Sequence, residues 1–272
     1  MENMRILFIT DIHQNIEAVK KINFNDCDYI FCGGDLIDPI KPDIKKAMDV
    51  IDLMPSETFI VPGNCDKYID LIEYMDNKLI MIHKKIIYNI DMPVIGIGYS
   101  RMLKEDLKVY RNYMLEDHSR IHYFSKNSKL AFILNFCGIN IDNNKNVKTV
   151  SLDKAYESAG DFIDKFVSFD ENEIKNFLSL IDNAEKGIIL SHSPPYGALD
   201  KLDGLPHIGS HSVRYGITKF KPRIVLCGHF HELIGKSKIN DTIIFNPGAL
   251  KDYRYGVINF NKDNVEIEFK KI

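Results

Sequence analysis

The stretch Arg5-Ile6-Leu7-Phe8-Ile9-Thr10-Asp11-Ile12-His13 decides the reading of this chain. Arg5 to Thr10 is a buried-strand candidate, and the run stops abruptly at a carboxylate and an imidazole. The same grammar recurs along the sequence. Tyr29 to Cys32 precedes Gly33-Gly34-Asp35, and Thr58 to Val61 precedes Gly63-Asn64-Cys65-Asp66. Gly187 to Ser191 runs into His192-Ser193-Pro194-Pro195, and Arg223 to Cys227 into Gly228-His229-Phe230-His231. In an open α/β sheet the loops beyond the carboxyl ends of strands converge on one crevice, so residues distant in sequence can meet there. Asp, Asn and His offer hard oxygen and borderline nitrogen donors, and Gly permits tight turns beside an ion. Taken singly, each cluster reads as a turn or a cap. Five of them at five strand ends read as a metal site.

The segments between these strands carry helical spacing. Ile16, Val19 and Ile22 lie on one face, as do Ile44, Met48 and Ile51 behind Pro42, a residue suited to a helix start. Lys67 to Met75 is a third helix. Strands joined by helices of this length predict crossover connections and a largely parallel sheet. Leu79 to Ile82, Lys85 to Tyr88 and Val94 to Ile97 follow with brief polar breaks and read as antiparallel or meandering. Leu103, Leu107, Tyr110 and Met114 suit an amphipathic helix inside an insertion or cap at about 101–169. No Gly-, Ser- or Pro-rich linker sets that segment apart, so the expectation is one domain over 1–272. Asp170 with Glu173 resembles a capping box for a helix to about Ala184. Thr242 to Phe245, Tyr255 to Phe260 and Val265 to Phe269 complete the strands.

With 272 residues, 45% hydrophobic and 27% charged, the composition is that of an ordinary globular protein. The 35 basic and 38 acidic residues give a net charge of −3, which offers no basic footprint for broad nucleic-acid binding. The longest strictly apolar block, Leu130 to Leu134, is far below the roughly 20 residues of a spanning helix, so no membrane association is expected. Cys27, Cys32, Cys65, Cys137 and Cys227 are odd in number without paired spacing and read as reduced thiols of a cytoplasmic protein.

The ordered set Asp11-x-His13, Gly33-Gly34-Asp35, Gly63-Asn64, His192 and Gly228-His229-x-His231 resembles the calcineurin-like metallophosphoesterase superfamily. That resemblance implies an α/β (α+β) fold: two mixed β-sheets packed as a sandwich and flanked by helices, here with an inserted helical or irregular segment. It also implies two divalent metal ions, Mn, Fe, Zn or Ni. Asp11, His13 and His231 would hold one, Asn64, His192 and His229 the other, and Asp35 would bridge them. A bridging carboxylate makes physical sense, because two dications roughly 3.5–4 Å apart repel unless anions lie between them. A metal-bridging hydroxide would attack phosphorus. Asn246-Pro247-Gly248 resembles a further family motif and is expected to support the site floor.

At Cys65 the sequence departs from the pattern. Many family members carry His there, oriented by the following acid, here Asp66. A thiol is a different acid and cannot carry a positive charge. The Gly-Asn-Cys-Asp variant resembles a branch that tends toward phosphodiester cleavage. The expected catalytic set is therefore Asn64, Cys65, Asp66 and His192, in a phosphodiesterase acting on a phosphate-ester small molecule or nucleotide. A phosphomonoesterase and a non-catalytic protein-binding scaffold are the alternatives, and oligomerisation stays open. His83, His118 and His122 read as packing or surface residues, while His207 and His211 lie nearer the pocket. Arg101, Arg111, Arg120, Arg214 and Arg254 read first as surface ion-pair residues and second as phosphate grips; Tyr113, Tyr123 and Phe124 are candidate base-stacking residues, as is Tyr110, whose helical spacing favours core packing.

Overall fold

The computed structural model describes residues 3–272 apart from 89, 101–103, 127–133, 135–136, 143–144, 159–168, 203–205 and 263. Arg101 and Leu103, and the side chains of Leu107, Tyr110 and Phe124, lie outside the described residues. In chain order the elements begin with β1 (Met4–Ile9), α1 (Ile16–Lys20), β2 (Tyr29–Cys32), α2 (Ile44–Asp52), β3 (Phe59–Ile60), α3 (Ile69–Lys78) and β4 (Ile80–Met81). Next come β5 (Lys85–Ile87), β6 (Val94–Ile97), α4 (Lys104–Glu116), α5 (His118–Lys126), β7 (Ile139–Ile141), β8 (Val147–Thr149) and α6 (Leu152–Ser158). The last third holds α7 (Glu171–Ser179), β9 (Ile188–Ser191), α8 (His211–Phe220), β10 (Ile224–Leu226), β11 (Gly235–Ile239), β12 (Thr242–Asn246), β13 (Arg254–Phe260) and β14 (Val265–Lys271).

Two six-stranded mixed sheets result, ordered β14-β13-β1-β2-β3-β4 and β11-β12-β10-β9-β6-β5. Their packing follows from alternation along each strand. In β1, Met4, Ile6 and Phe8 point into the core between the sheets, where they join Phe31, Phe59, Leu190, Leu226 and Phe245. Leu7 and Ile9 point the other way, onto Ala18 and Val19 of α1 and Ala47, Val50 and Ile51 of α2. On the far side, Ile189 and Val225 face outward against Ile174 and Leu178 of α7 and Val213 and Ile217 of α8. The layers therefore run helix, sheet, sheet, helix. The central strands are apolar on both faces because both faces are covered.

Local chemistry sets the helix starts. Asp43 caps α2, its carboxylate accepting from the Lys46 amide at 3.1 Å, a bond typically worth ~1 kcal/mol. Asp170 caps α7 through the Asn172 amide, but Glu173 does not close a capping box. It turns away to pair with Lys84 at 2.6 Å.

Of the strands over residues 79–97 expected to be antiparallel or meandering, β5 and β6 do pair antiparallel, but β4 does not join them. β4 adds to β3 in parallel, because α3 returns the chain to the same sheet edge. The chain then turns at Lys84, whose φ is 50°, and crosses to the second sheet, where β5 runs antiparallel to β6 and β6 parallel to β9. Among the described residues no helix is long and apolar enough to cross a membrane. All five cysteines are free thiols.

Candidate metal centre

Each of the five polar clusters emerges from the carboxyl end of a parallel strand: β1, β2 and β3 in one sheet, β9 and β10 in the other. The ladder between β1 and β2 continues past the strands. Asp11 N donates to Gly34 O at 2.9 Å, and His13 N to Asp35 O at 2.9 Å. That continuation requires an unusual backbone: Asp11, His13, Asp35 and His229 all adopt left-handed conformations, with φ of 53°, 43°, 56° and 69°. Such strain at non-glycine residues gathers where side chains must be aimed.

Close approach explains two of the glycines. A Cβ on Gly63 would fall 2.1 Å from Oδ1 of Asp35, and one on Gly228 would fall 2.3 Å from Oδ2 of Asp11. Any larger residue at either place would displace a carboxylate.

The side chains converge. Asp11 is 1% exposed, its Oδ2 accepting from the Thr10 hydroxyl at 2.9 Å and from the His229 amide at 3.1 Å. Nε2 of His231 lies 3.2 Å from Oδ1 of Asp11 and 3.2 Å from Nε2 of His13. Asp35 is buried too, its Oδ2 3.5 Å from Nε2 of His192 and 3.9 Å from Nε2 of His13. The His192 and His229 rings are 5.2 Å apart. Ligating atoms of Asp11, His13 and His231 all lie within 4.8 Å of one another, as do those of Asp11, Asp35 and His192, and those of His13, Asp35 and Cys65.

The donor chemistry fits cations. Nδ1 of His13 and Nδ1 of His192 each face a carbonyl at 2.7 Å, those of Ile37 and Gly33. A neutral ring that donates from Nδ1 presents a lone pair at Nε2. With His192 in that neutral tautomer, its Nε2 faces Oδ1 of Asn64 at 2.9 Å as acceptor against acceptor. Two acceptors aimed at one place suit a shared cation, with the carbonyls holding the rings in the ligating tautomer.

Electrostatics follow from burial. It lowers His13, against the opposing charges of Asp35 and Asp11, and lowers His229 to about 3, with His192 adding to the effect. Both rings are therefore neutral and able to ligate at neutral pH. Burial acts to raise the Asp11 carboxyl, but the charge and hydrogen bond of His231 outweigh it and the net shift is downward. The same partnership, working against burial, raises His231.

Cys65 and Asp66 are both buried. The Cys65 amide donates to Oδ1 of Asp35 at 2.8 Å, and its sulfur lies 3.2 Å from Oδ2 of the same carboxylate. The four hydrogen bonds accepted by Asp66 come from backbone amides. Gly63 and Asp35 reach Oδ2, both at 2.8 Å, while Leu36 and Ile37 reach Oδ1 at 2.8 and 3.1 Å. Burial and the charge of Asp35 push this carboxyl up to about 7, against the pull of the Gly63 and Ile37 amides. The residue expected to orient a general acid is thus the clasp between the loops after β2 and β3.

Asn246 braces the loop after β10. Its amide donates to Phe230 O at 2.9 Å, and its carbonyl accepts from Gly248 N at 2.9 Å. The other candidates have local partners. His83 accepts the Gly98 amide, and His207 pairs with buried Asp200 at 2.6 Å. His211 stacks on Tyr196, while His118 and His122 lie on α5. Arg111 bonds the Val150 carbonyl, and Arg120 covers the Tyr113 ring at 3.8 Å, which occupies that candidate stacking face. Arg214 bonds Tyr196 O at 3.4 Å, and Arg254 packs near Gly248. Tyr123 is exposed on α5. Sequence reasoning missed Thr10, which has only its position before Asp11 to mark it, and Lys251, whose amide donates to Asp11 O at 3.1 Å.

Residues 152–271 match the model of a family described as metallophosphoesterase, calcineurin superfamily. The later part of the chain is thus similar to that superfamily. The chain is 26% identical over 260 residues to the uncharacterized protein MJ1162 of Methanocaldococcus jannaschii, covering 93% of this chain and 91% of that one. One crystal structure matches its fold with a TM-score of 0.63 at 14% identity, over 98% of both chains. The crystal structure of TT1561 of Thermus thermophilus matches with a TM-score of 0.52 at 16% identity, over 97% of this chain and 98% of that one. That similarity supports a metal-dependent phosphoesterase, and the buried Asp and His cluster offers groups that could hold metal ions.

Proposed function

We propose that the chain is a phosphodiesterase with a pair of divalent cations, acting on a phosphate-ester small molecule or nucleotide. The acceptor-to-acceptor meeting of His192 Nε2 and Asn64 Oδ1 at 2.9 Å carries the cation-dependent part of this reading. Asp11, His13 and His231 would hold one ion, Asn64, His192 and His229 the second, with Asp35 between. Ions bound there would activate a water and withdraw charge from phosphoryl oxygens.

The chain's own residues prepare that chemistry. Ile37 O and Gly33 O fix the ring orientations, Thr10 steadies Asp11, and Asp66 holds two ligand loops at a constant spacing. The preference for diesters, in the manner of the Gly-Asn-Cys-Asp branch, rests on residue 65. A thiol turned toward Asp35 offers no proton to a departing alkoxide, so esters with good leaving groups are favoured.

Residues at about 101–169 form an inserted cap on a single domain in this reading. Its support is the small cluster of Met114, Ile121, Cys137 and Ile139, against which Leu202 from the loop after His192 packs. Five free cysteines support a cytoplasmic setting.

The test is a panel of matched monoesters and diesters, assayed after chelation and again with Mn²⁺ restored. The expected result is hydrolysis that returns with Mn²⁺ and favours diesters. Monoester preference would move the protein to the phosphatase reading. Mn²⁺ binding without hydrolysis of any ester would leave the scaffold reading in its place.

A further inference from the structure

We propose that Thr10 is a positioning residue that gives the two oxygens of Asp11 different tasks, reserving Oδ1 for a cation and making Asp11 a one-oxygen ligand. The proposal rests on the metal-dependent reading of the site and extends it to how the ligand set beside His13 and His231 is chosen.

Thr10 directly precedes Asp11 and is fully buried. A hydroxyl cut off from solvent needs a protein acceptor for its proton. Here that acceptor is Oδ2 of Asp11, at 2.9 Å. The His229 amide also reaches this carboxylate, but it lies 3.2 Å from Oδ1 and 3.1 Å from Oδ2. It holds the group without telling its oxygens apart, whereas the Thr10 hydroxyl selects one of them. Oδ1 is left on the side of the imidazoles, 3.2 Å from Nε2 of His231, which is itself 3.2 Å from Nε2 of His13. One carboxylate oxygen and two ring nitrogens therefore converge, with ligand atoms close enough to share an ion.

A chance bond between sequence neighbours would not need room made for it elsewhere. A Cβ on Gly33 would fall 2.6 Å from the Thr10 hydroxyl oxygen, and one on Gly228 would fall 2.1 Å from it. The loops after β2 and β10 thus both forgo a side chain where this hydroxyl sits. The Thr10 carbonyl is fixed as well, accepting from the Leu250 amide at 2.8 Å. With its backbone held and two ligand loops closed on its side chain, the hydroxyl stays against Oδ2. A carboxylate engaged in this way is kept from turning to bind an ion through both oxygens.

The test uses the full chain with Thr10→Val and Thr10→Ser, Mn²⁺ titrated calorimetrically, and visible absorption of the Co²⁺-saturated protein. Thr10→Val keeps the shape and removes the proton. It is expected to weaken Mn²⁺ binding about tenfold, as loss of a hydrogen bond to a metal ligand does. Its Co²⁺ absorption is expected to fall in intensity, because Asp11 binding through both oxygens raises the coordination number. Thr10→Ser is expected to restore affinity and spectrum together. Thr10→Ala also lacks the proton and gives the same readings if the valine methyl is not accommodated. Unchanged Mn²⁺ affinity in the variants without the hydroxyl overturns the proposal and leaves the metal-dependent reading standing. Weaker binding with an unchanged Co²⁺ spectrum also overturns it, as does failure of Thr10→Ser to recover, since both mark a merely structural residue. A wild-type protein that takes up neither Mn²⁺ nor Co²⁺ overturns the metal-dependent reading itself.

Discussion

The sulfur of Cys65 lies 3.2 Å from Oδ2 of Asp35, while the Cys65 amide donates to Oδ1 of the same carboxylate at 2.8 Å. One residue thus grips both oxygens of the side chain that stands between the two sets of imidazoles. Burial, followed by the charge of Asp35, raises the thiol far above its ordinary range, so it stays protonated and donates. Cys65→Ala removes the S–H donor and is expected to loosen Asp35, weakening Mn²⁺ binding several-fold while Cys65→Ser stays near wild type. Isothermal titration with Mn²⁺ checks this, and equal affinities in all three proteins would contradict it.

Cys65→His tests the leaving-group argument from the other direction. Hydrolysis of alkyl esters is expected to rise about tenfold more than that of aryl esters, as a general acid is restored. Residue 65 is only 2% exposed, so the larger ring should cost about 1–3 kcal/mol of stability. Equal or reduced turnover on both ester classes would defeat the account of residue 65.

Asp66→Asn should act on folding before it acts on chemistry. An amide group would replace one of two oxygens that each accept two buried backbone N–H groups. Two amides would lose their acceptor, at a cost of about 2–5 kcal/mol in urea unfolding. A variant of unchanged stability and reduced activity would instead place Asp66 in the reaction.

His192→Ala is expected to abolish most metal-dependent activity, by about a hundredfold or more. The fully buried ring is held by Gly33 O, so no neighbouring side chain can swing into its place. A fully active variant would remove it from the ligand set.

His83 gives the pH prediction. Burial, with Lys84 adding, lowers this ring to about 4, and its neutral form accepts the Gly98 amide at 2.8 Å. A histidine lowered on folding contributes stability in full above its unfolded value of about 6.5, and that contribution drains away as pH falls toward 4. His13 and His229 are also lowered and act in the same direction, so the informative quantity is the difference between wild type and His83→Gln. The urea midpoint of wild type should fall more steeply between pH 6.5 and 4 than that of the variant. Parallel curves would refute the assignment.

The strands and the loop clusters were legible because apolar runs ending in Asp, Asn or His carry their own punctuation. What they could not reveal was sheet membership. Ile80–Met81 and Lys85–Ile87 are alike in composition, yet they sit at the edges of different sheets, a difference set by the turn at Lys84. The strand Gly235–Ile239 escaped notice because its Lys-Ser-Lys faces are polar, as an edge strand tolerates. The helix His211–Phe220 escaped because His, Ser, Gly and Thr dilute its periodicity. Within the site, residue types announced themselves and orientations did not. Asp66 and Asp35 are the same residue type, and only the fold shows one facing the imidazoles and the other facing backbone amides.

Asp11 and Asp35 are delivered by one sheet, His192 and His229 by the other. The alignment of these groups is therefore a vernier on how the two halves are seated. Phe31 and Phe245, in the layer between them, contribute nothing to the chemistry yet set the spacing across which it must work. Trimming either ring would detune the reactive cluster at long range, without touching any atom that a substrate meets.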